Sequence, residues 1–503
     1  MTTTLTRPTA AARARVATPH VREFLADTLT PLGVYRRLQA VSQRSFLLES
    51  ISGGEQVSRF SFIGADPSVV CRLWPDRLEI ERGGERGGES ASGASAEATI
   101  ERLESAPLAA LDELLGSVRS PAGELPFTGG WVGFFGYDTI RMVERLPDRP
   151  PDPFGLPYAA LARFDNVVVF DHARQRVVAV ANEIEGEVDP REAEAALQTL
   201  TAILTRSVGG VAVEIPGGAI EPAPTHPPTL SSEAYQAAVR TAKDYIRAGD
   251  IFQVVPARRW RTLDCPDPLE IYRALRMVNP SPYMVLLESP EVDLVSASPE
   301  MVVRKTGNLL ESRPIAGTRP RGKTPEEDHR LAAELLADPK ERAEHVMLVD
   351  LHRNDLGKVA ESASVHVPEF MVVEYYSHVI HLVSSVQARI RPDCTALEAL
   401  LASFPAGTLS GAPKIRAMEI IEDLEKSRRG PYAGTVGYLS PNGDMDTCIT
   451  IRTIVVRDGE ASVTAGAGIV ADSDPAAEVA ETENKAAALL QAVALAQSLR
   501  TAP

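Results

Sequence analysis

Turn signals between short apolar segments limit the folds open to this chain. Gly307-Asn308 separates the segments 301–305 and 309–313, as expected for two strands joined in a hairpin. Asn442-Gly443 and Asp458-Gly459 join three further apolar segments, which we predict to form one antiparallel meander: 433–439, 446–457 and 461–470. Because the strands come in hairpins and do not alternate strictly with helices, the pattern indicates an α+β fold rather than a doubly wound parallel sheet.

A segment rich in proline and glycine, 207–230, divides the chain into two regions. We interpret this segment as a connector between an N-terminal region, 1–206, and a second region, 231–500. The Gly-, Ser- and Glu-rich segment 81–98 is predicted to be a mobile loop.

Helical spacing of apolar residues occurs in both regions. Ser232 is the predicted cap of one helix, and Pro413 takes an N1-like position in another. The segments with this spacing are 107–118, 190–205, 232–247, 338–351, 413–424 and 476–499.

Charge and cysteine content exclude several functional classes. Lysine and arginine number 52 against 68 aspartates and glutamates, so the formal net charge is −16. An overall field of this sign does not attract nucleic acid or an anionic membrane, and we expect neither as a partner. The four cysteines lie far apart without a Cys-x-x-Cys pair, and the first 26 residues lack a continuous apolar stretch. We therefore expect a reduced, cytoplasmic protein.

The segment 317–324 matches the phosphate-binding loop pattern G-x-x-x-x-G-K-[ST] literally, which makes a P-loop NTPase a remote alternative. A phosphate loop follows a buried parallel strand and opens a helix directly. Here the preceding residues, 310–314, are charged and broken by proline, and the interior of the loop is Arg-Pro-Arg. The context therefore argues against nucleotide binding.

Six motifs in the second region resemble those of chorismate-utilising enzymes, and they occur in the order typical of that family. Two elements, Leu47-Leu48-Glu49-Ser50 and the segment 279–284, resemble the tryptophan-sensing elements of anthranilate synthase component I. The six motifs are PIAGTRPRG at 314–322, KERAEH at 340–345, VDLHRNDLG at 349–357, GTLSGAPK at 407–414, GAGIV at 466–470 and ETENK at 481–485.

The resemblance implies both a fold and a reaction. The fold would be two antiparallel β-sheets packed together with helices outside, the N-terminal region being integrated with a chorismate-binding catalytic region. The reaction would be that of the large subunit of anthranilate synthase, a lyase: chorismate and ammonia give anthranilate and pyruvate through 2-amino-2-deoxyisochorismate. This is the first step of tryptophan biosynthesis.

The resemblance also assigns catalytic residues. A hydroxide leaves poorly unless it is protonated, so the C4 hydroxyl of chorismate needs a general acid, and Glu300 matches the acid of the family. His381 lies in an otherwise apolar strand and would act near C4 or remove the C2 proton. Thr408 and Gln253 complete the catalytic set.

Further residues are expected to bind the substrate and a Mg²⁺ cofactor. Glu344 and Glu481 match the two carboxylates that would hold Mg²⁺, a hard ion that prefers oxygen ligands. The carboxylates of the substrate need cations and backbone N–H donors. The residues expected to supply them are Gly317, Thr318, Tyr432, Arg452, Gly466, Ala467, Gly468 and Lys485.

Two positions separate this chain from related enzymes. Aminodeoxychorismate synthase component I typically carries a nucleophilic lysine where this chain has Ala316, and isochorismate synthases carry a basic lysine where it has Gln253. Alanine cannot be a nucleophile, and glutamine cannot take a proton from water near neutral pH. Both enzymes remain alternatives, but the nucleophile most consistent with these residues is ammonia.

The chain needs a partner to obtain ammonia from glutamine. None of its four cysteines lies in the glycine-flanked setting of a class I glutamine amidotransferase. We therefore expect a separate amidotransferase subunit, anthranilate synthase component II, in a heterotetramer of two large and two small subunits.

L-Tryptophan is expected to be a feedback inhibitor. Glu49 would bind its ammonium group, Ser50 its carboxylate, and Tyr283 and Met284 would provide apolar contacts for the indole ring. The complete predicted set is Glu49, Ser50, Asn279, Pro282, Tyr283, Met284, Val436, Gly437, Tyr438 and Cys448.

Overall fold

The computed structural model describes residues 14–25, 27–40, 42–50, 59–83, 98–147, 150–206, 220–262, 264–376 and 379–499. Most of the predicted loop at 81–98 and the first part of the connector therefore lie outside the described residues. The remainder of the connector, 220–230, contains no helix or strand. The predicted boundaries of the two regions stay predictions.

Helices occupy the segments that show helical spacing. Ser231, and not Ser232 as predicted, caps the helix after the connector, because its hydroxyl accepts the N–H of Ala234. Pro413 precedes its helix as the N-cap residue. The α-helices are α1 (Pro31–Gln39), α2 (Pro107–Leu115), α3 (Pro190–Thr205), α4 (Ser232–Ala248), α5 (Pro268–Val278), α6 (Pro325–Ala337), α7 (Pro339–Gly357), α8 (Ala396–Ser403), α9 (Lys414–Glu425) and α10 (Pro475–Leu499); 3₁₀ helices cover Tyr137–Met142 and Gly407–Leu409.

The strands form two large sheets and one short pair. They are β1 (Arg15–Leu25), β2 (Ser45–Glu49), β3 (Phe60–Ala65), β4 (Val69–Leu73), β5 (Leu78–Arg82), β6 (Thr99–Leu103), β7 (Val118–Arg119), β8 (Gly130–Phe135), β9 (Ala159–Phe164), β10 (Asn166–Asp171), β11 (Arg176–Ile184), β12 (Gln253–Val254), β13 (Ala257–Thr262), β14 (Tyr283–Glu288), β15 (Asp293–Ser298), β16 (Met301–Thr306), β17 (Leu309–Ser312), β18 (Ile315–Pro320), β19 (His366–Tyr375), β20 (Val379–Arg389), β21 (Gly411–Ala412), β22 (Thr435–Leu439), β23 (Met445–Ile449), β24 (Thr453–Arg457) and β25 (Glu460–Gly466).

Both large sheets contain strands from the two sides of the connector. One sheet has the order β13-β25-β24-β15-β14-β2-β3-β10-β11-β1-β7, and the other β18-β20-β17-β16-β23-β22-β8-β9-β4-β5-β6, with β19 beside β20. The β2–β14 pair joins the regions in the first sheet, and the β8–β22 pair joins them in the second. Nearly all of the pairings are antiparallel; β1 and β7 run parallel. The predicted α+β fold with an integrated N-terminal region is confirmed.

The two sheets pack face to face, and helices cover their outer faces. Phe46 of the first sheet and Phe134 of the second belong to one fully buried cluster, which is the layer between the sheets. Other clusters bury α1, α3, α5 and α10 against the first sheet, and α2 and α8 against the second. At Gly133, an added Cβ would lie 2.1 Å from the carbonyl oxygen of Ala160, so only glycine permits the β8–β9 approach.

The prediction of a single meander over 433–470 is wrong. β22 and β23 form a hairpin in the second sheet, whereas β24 and β25 form a hairpin in the first. The chain crosses between the sheets at 450–452, where Arg452 has a left-handed backbone with φ of 49°. The apolar pattern continues through this crossing because the strands on both sides of it are buried.

The phosphate-loop alternative is excluded by the backbone. Residues 315–320 form strand β18, and Thr324 caps α6 by accepting the N–H of Glu327. Asp350 lies within α7 and not at the end of a strand. In the part of the chain that the structure covers, every helix is too short or too polar to cross a membrane.

Candidate active site

Glu300 lies in the turn between β15 and β16, and its side chain is buried. The hydroxyl of Thr408 donates a hydrogen bond to its Oε1 atom over 3.0 Å. Burial raises the pKa of Glu300 to about 8, although the Thr408 hydrogen bond and the Lys485 ammonium oppose the rise. Glu300 therefore carries a proton at neutral pH, which is the state that a general acid needs.

His381 is held by the neighbouring strand. Thr318 of β18 faces His381 in the β18–β20 register. The Nδ1 atom of His381 lies 3.0 Å from the carbonyl oxygen of Gly317. A carbonyl oxygen can only accept, so Nδ1 carries the proton and Nε2 is the free acceptor. Burial lowers the pKa of the ring, which keeps it neutral at pH 7. His381 can therefore accept a proton at Nε2.

Arg452 is a half-buried cation at the crossing between the two sheets. Among the described residues, none forms a hydrogen bond or an ion pair with its guanidinium group. Burial lowers its pKa, while nearby Tyr432 and Glu481 act in the opposite direction. A half-buried guanidinium without a carboxylate partner is suited to bind an anionic ligand.

The 466–468 segment packs closely against its neighbours. A Cβ added at Gly466 would lie 2.7 Å from the carbonyl oxygen of Pro256, and one added at Gly468 would lie 2.9 Å from Nε2 of Gln253. The N–H of Ala467 donates to the Pro256 carbonyl over 3.3 Å, and that of Gly466 bonds Tyr432. Of the three predicted backbone donors, only the N–H of Gly468 lacks an acceptor among the described residues.

Gln253 and Lys485 flank this segment. Gln253 is buried, and its Oε1 atom has no hydrogen-bond partner within the described ranges. Lys485 donates hydrogen bonds to the carbonyl oxygen of Gly466 over 2.9 Å and to Glu481 over 2.7 Å. The ammonium group of Lys485 thus lies between the glycine segment and the carboxylates.

Glu344 and Glu481 come from different helices, α7 and α10, and approach each other. Burial is the main cause that raises the pKa of Glu344, and the carboxylates of Glu341, Glu481 and Glu478 raise it further. Glu341 and Glu478 were missed in the sequence, although each lies three residues before a predicted ligand and thus on the same helix face. The hard oxygen donors of this group fit Mg²⁺.

These carboxylates are not arranged as a preformed metal centre. Within the part of the chain that the structure describes, no group of three or more His, Cys, Asp or Glu side chains is close enough to hold an ion. Arg319 binds Glu341 over 3.1 Å, and Lys485 binds Glu481. Oxygen atoms that now bind these cations would have to turn toward a metal.

A cavity of about 210 Å³, called the second cavity to separate it from the active site, lies between the two sheets and is lined by strands from both sides of the connector. Nine of the ten residues predicted to bind tryptophan line it; Asn279, at the end of α5, does not. The β2–β14 register sets Glu49 beside Met284, and the β22–β23 register sets Val436 beside Cys448. The lining residues predicted from the sequence are Glu49, Ser50, Pro282, Tyr283, Met284, Val436, Gly437, Tyr438 and Cys448.

Polar contacts in this cavity differ from those expected. Tyr272 donates a hydrogen bond of 2.6 Å to Glu49, while the buried hydroxyl of Ser50 has no partner among the described residues. Tyr283 is not a purely apolar contact, because its hydroxyl donates to Asp446 over 3.0 Å. Asp446 also binds Arg304 over 2.9 Å. No pattern in the sequence pointed to Arg304 and Asp446, which are far apart along the chain.

Comparisons with known proteins show the family of this chain. The profile of the chorismate binding enzyme family matches residues 55–491. Anthranilate synthase component 1 of Thermus thermophilus is 48% identical over 481 residues, which cover 95% of this chain and 98% of the relative. The chain is a member of the anthranilate synthase component 1 family. The family assignment made from the sequence motifs is confirmed.

Solved structures of this family and of a related enzyme share the fold. Anthranilate synthase component I from Streptococcus pneumoniae superposes with a TM-score of 0.74 at 34% identity, over 93% of this chain and 99% of that one. The menaquinone-specific isochorismate synthase from Escherichia coli gives a TM-score of 0.67 at 17% identity, over 95% of each chain. The second likeness concerns the fold alone.

Proposed function

We propose that this chain makes anthranilate and pyruvate from chorismate and ammonia, through 2-amino-2-deoxyisochorismate. The observation that carries the proposal is the burial of Glu300, which keeps its carboxylic acid protonated at neutral pH although Thr408 donates a hydrogen bond to it. Membership of the anthranilate synthase component 1 family supports the same reaction, as the first step of tryptophan biosynthesis.

In the first half-reaction, ammonia adds to C2 while the C4 hydroxyl leaves. Glu300 donates its proton to that hydroxyl, the C4–O bond breaks, and water departs as the new C2–N bond forms and the ring double bonds shift. The ammonium nitrogen then loses one proton to the solvent, and the Glu300 carboxylate takes one up from the solvent before the next turnover. Ala316 and Gln253 offer neither a nucleophile nor a base for water, so the chain itself supplies no competing lysine chemistry.

In the second half-reaction, pyruvate is eliminated and the ring becomes aromatic. His381 takes the C2 proton at Nε2. This nitrogen can accept it because the proton of the neutral ring is on Nδ1, which donates to the Gly317 carbonyl. The C3–O ether bond breaks, and the released enolpyruvate takes up a proton to become pyruvate. The low pKa of the buried ring keeps this base neutral before the step.

Residues around these groups orient the substrate. Arg452 binds one carboxylate of chorismate, since its guanidinium has no carboxylate partner of its own. Lys485 and the Tyr432 hydroxyl contact the same side of the site. Thr318 is in register with His381 and lies within hydrogen-bond distance of its Nδ1.

Mg²⁺ is the proposed cofactor. Glu344 and Glu481 would hold it, with Glu341 and Glu478 as neighbouring carboxylates. When bound, the ion supplies positive charge that neutralises the ring carboxylate of the substrate and makes C2 more electrophilic.

Ammonia is proposed to come from a glutamine amidotransferase subunit, component II, in a heterotetramer of two large and two small subunits. The cysteines of this chain do not supply glutaminase chemistry. Burial raises the pKa of Cys71 to about 12 and also raises the pKa of Cys448, so both remain thiols at neutral pH. The cytoplasm, where such thiols stay reduced, is the proposed location.

L-Tryptophan is the proposed inhibitor, bound in the second cavity. Glu49 and the unpartnered Ser50 hydroxyl can contact the two charged groups of an amino acid, and Met284 offers apolar surface. Because β2 and β14 come from different regions, ligand in this cavity contacts both and can favour one arrangement of them over another.

The test of the reaction is direct. The purified chain is incubated with chorismate, Mg²⁺ and ammonium at alkaline pH, and anthranilate is followed by its fluorescence and identified by mass. Formation of anthranilate with equal amounts of pyruvate is expected. Isochorismate, or 4-amino-4-deoxychorismate, as the main product would refute the assignment in favour of a related enzyme.

A further inference from the structure

Arg429 lies in the loop between α9 and β22, and only 5% of it is exposed. Its guanidinium donates to two main-chain carbonyl oxygens, that of Leu409 over 2.7 Å and that of Val255 over 2.6 Å. Glu425, one turn earlier, accepts from the same group over 2.5 and 3.0 Å. The N–H of Ala257 also donates to Glu425 over 2.8 Å and fixes this carboxylate in turn.

The partners of Arg429 adjoin residues of the active site. Leu409 directly follows Thr408, whose hydroxyl binds Glu300. Arg429 also lies over the ring of Tyr432, with 5.5 Å between the guanidinium carbon and the ring centroid. Arg429 thus contacts both the 407–409 segment, which carries the Thr408 partner of Glu300, and Tyr432, a proposed substrate-binding residue.

We propose that Arg429 is a positioning residue for proton transfer, which holds the 407–409 helix so that Thr408 stays bonded to Glu300. The inference rests on the general-acid role proposed for Glu300. The planar guanidinium binds two carbonyls and a carboxylate at once in fixed directions, which a lysine ammonium on a flexible stem cannot reproduce. Within the described part of the chain, Arg429 forms no hydrogen bond with Glu300 itself.

This role has a consequence for the pH profile. The side chains that lower the pKa of Glu300 against the effect of burial are Thr408 and the facing cation, Lys485 of α10. If the 407–409 helix shifts, the Thr408 hydrogen bond weakens and the pKa of Glu300 rises. Loss of Arg429 therefore acts on Glu300 through Thr408, and a purely structural role would leave that pKa unchanged.

The experiment compares Arg429→Lys with Arg428→Lys. Arg428 is the adjacent arginine, but it binds Asp152 and lies over Tyr158, away from Thr408. Ammonia-dependent kcat is measured from pH 6 to 10 at a constant concentration of free ammonia. We expect Arg429→Lys to lower kcat about tenfold. It should also move the alkaline limb of the kcat–pH profile to higher pH by about half a pH unit. Arg428→Lys should match the unmodified protein.

Two further variants connect this effect to Thr408. Thr408→Val alone should move the alkaline limb upward, and Arg429→Lys should add no further shift in the Thr408→Val background. Additive shifts, or an unmoved limb with only a lower melting temperature, would overturn the proposal. If Arg429→Lys fails to fold, Glu425→Gln is measured in the same way, and an unchanged limb in that variant would count against the proposal. An active Glu300→Gln variant would instead contradict the role of Glu300 itself.

Discussion

Replacing Glu300 by glutamine should change how the stability of the protein depends on pH. In the folded chain the carboxyl has a pKa of about 8, against an ordinary value of 4.5, because it is buried. Below pH 4.5 both the folded and the unfolded chain hold the proton. As the pH rises from 4.5 to 8, the unfolded chain releases it first, so the free energy of unfolding falls.

The size of this effect follows from the two pKa values. The difference between 8 and 4.5, at about 1.36 kcal/mol for each unit, corresponds to about 5 kcal/mol as an upper bound. Glutamine has nearly the same shape and can accept the Thr408 hydrogen bond, but it never ionises. The variant should therefore equal the unmodified protein near pH 4.5 and exceed its stability by several kcal/mol at pH 9.

Urea denaturation at pH 5, 7 and 9, without chorismate, measures this difference. Glu101→Gln serves as the control, since Glu101 is an exposed glutamate on β6 and should show no such trend. The same Glu300→Gln preparation should lose anthranilate formation by about 10²- to 10⁴-fold. A stability difference that stays constant from pH 5 to pH 9 would refute the burial argument.

Three further outcomes are expected. Glu344→Gln and Glu481→Gln should abolish turnover while leaving the melting temperature nearly unchanged, and full activity of either variant at saturating Mg²⁺ would remove the metal assignment. The isolated chain should make anthranilate from ammonium at alkaline pH but not from glutamine; glutamine-dependent product from the pure chain would reveal an amidotransferase site within it. L-Tryptophan should inhibit this ammonia-dependent activity, and Ser50→Phe or Met284→Thr should weaken inhibition while largely sparing turnover; Asn279→Ala, outside the cavity, should remain as sensitive as the unmodified protein.

The sequence motifs predicted which residues belong to the candidate active site, but not which of them bond to one another. Motif matching identified Glu300, His381 and Arg452, which the fold brings into one region although they are distant in sequence. It did not show that Thr408 is the residue bound to Glu300, or that the N–H of Ala467 donates to the Pro256 carbonyl. Such partnerships depend on distances between separate elements, which no local pattern records.

The second cavity shows the same limit. Two sequence elements indicated part of its lining, and the β2–β14 register sets Glu49 of one beside Met284 of the other. Asn279 lies outside it, since α5 ends there before the strand begins. The partner of the Tyr283 hydroxyl, Asp446, comes from β23 of the other sheet, which only the packing of the two sheets brings close.

The sequence by itself determined the local elements: hairpins at Gly307-Asn308 and Asp458-Gly459, helices such as α3, and the family to which the chain belongs. Turn chemistry and amphipathic periodicity depend on a few neighbouring residues, so the elements that they specify can be predicted from one sequence. The tertiary structure alone decided that the apolar segment 446–457 divides between two sheets, with Arg452 at the crossing. A buried strand has the same apolar pattern in either sheet, and only packing against the rest of the chain selects the sheet to which it belongs.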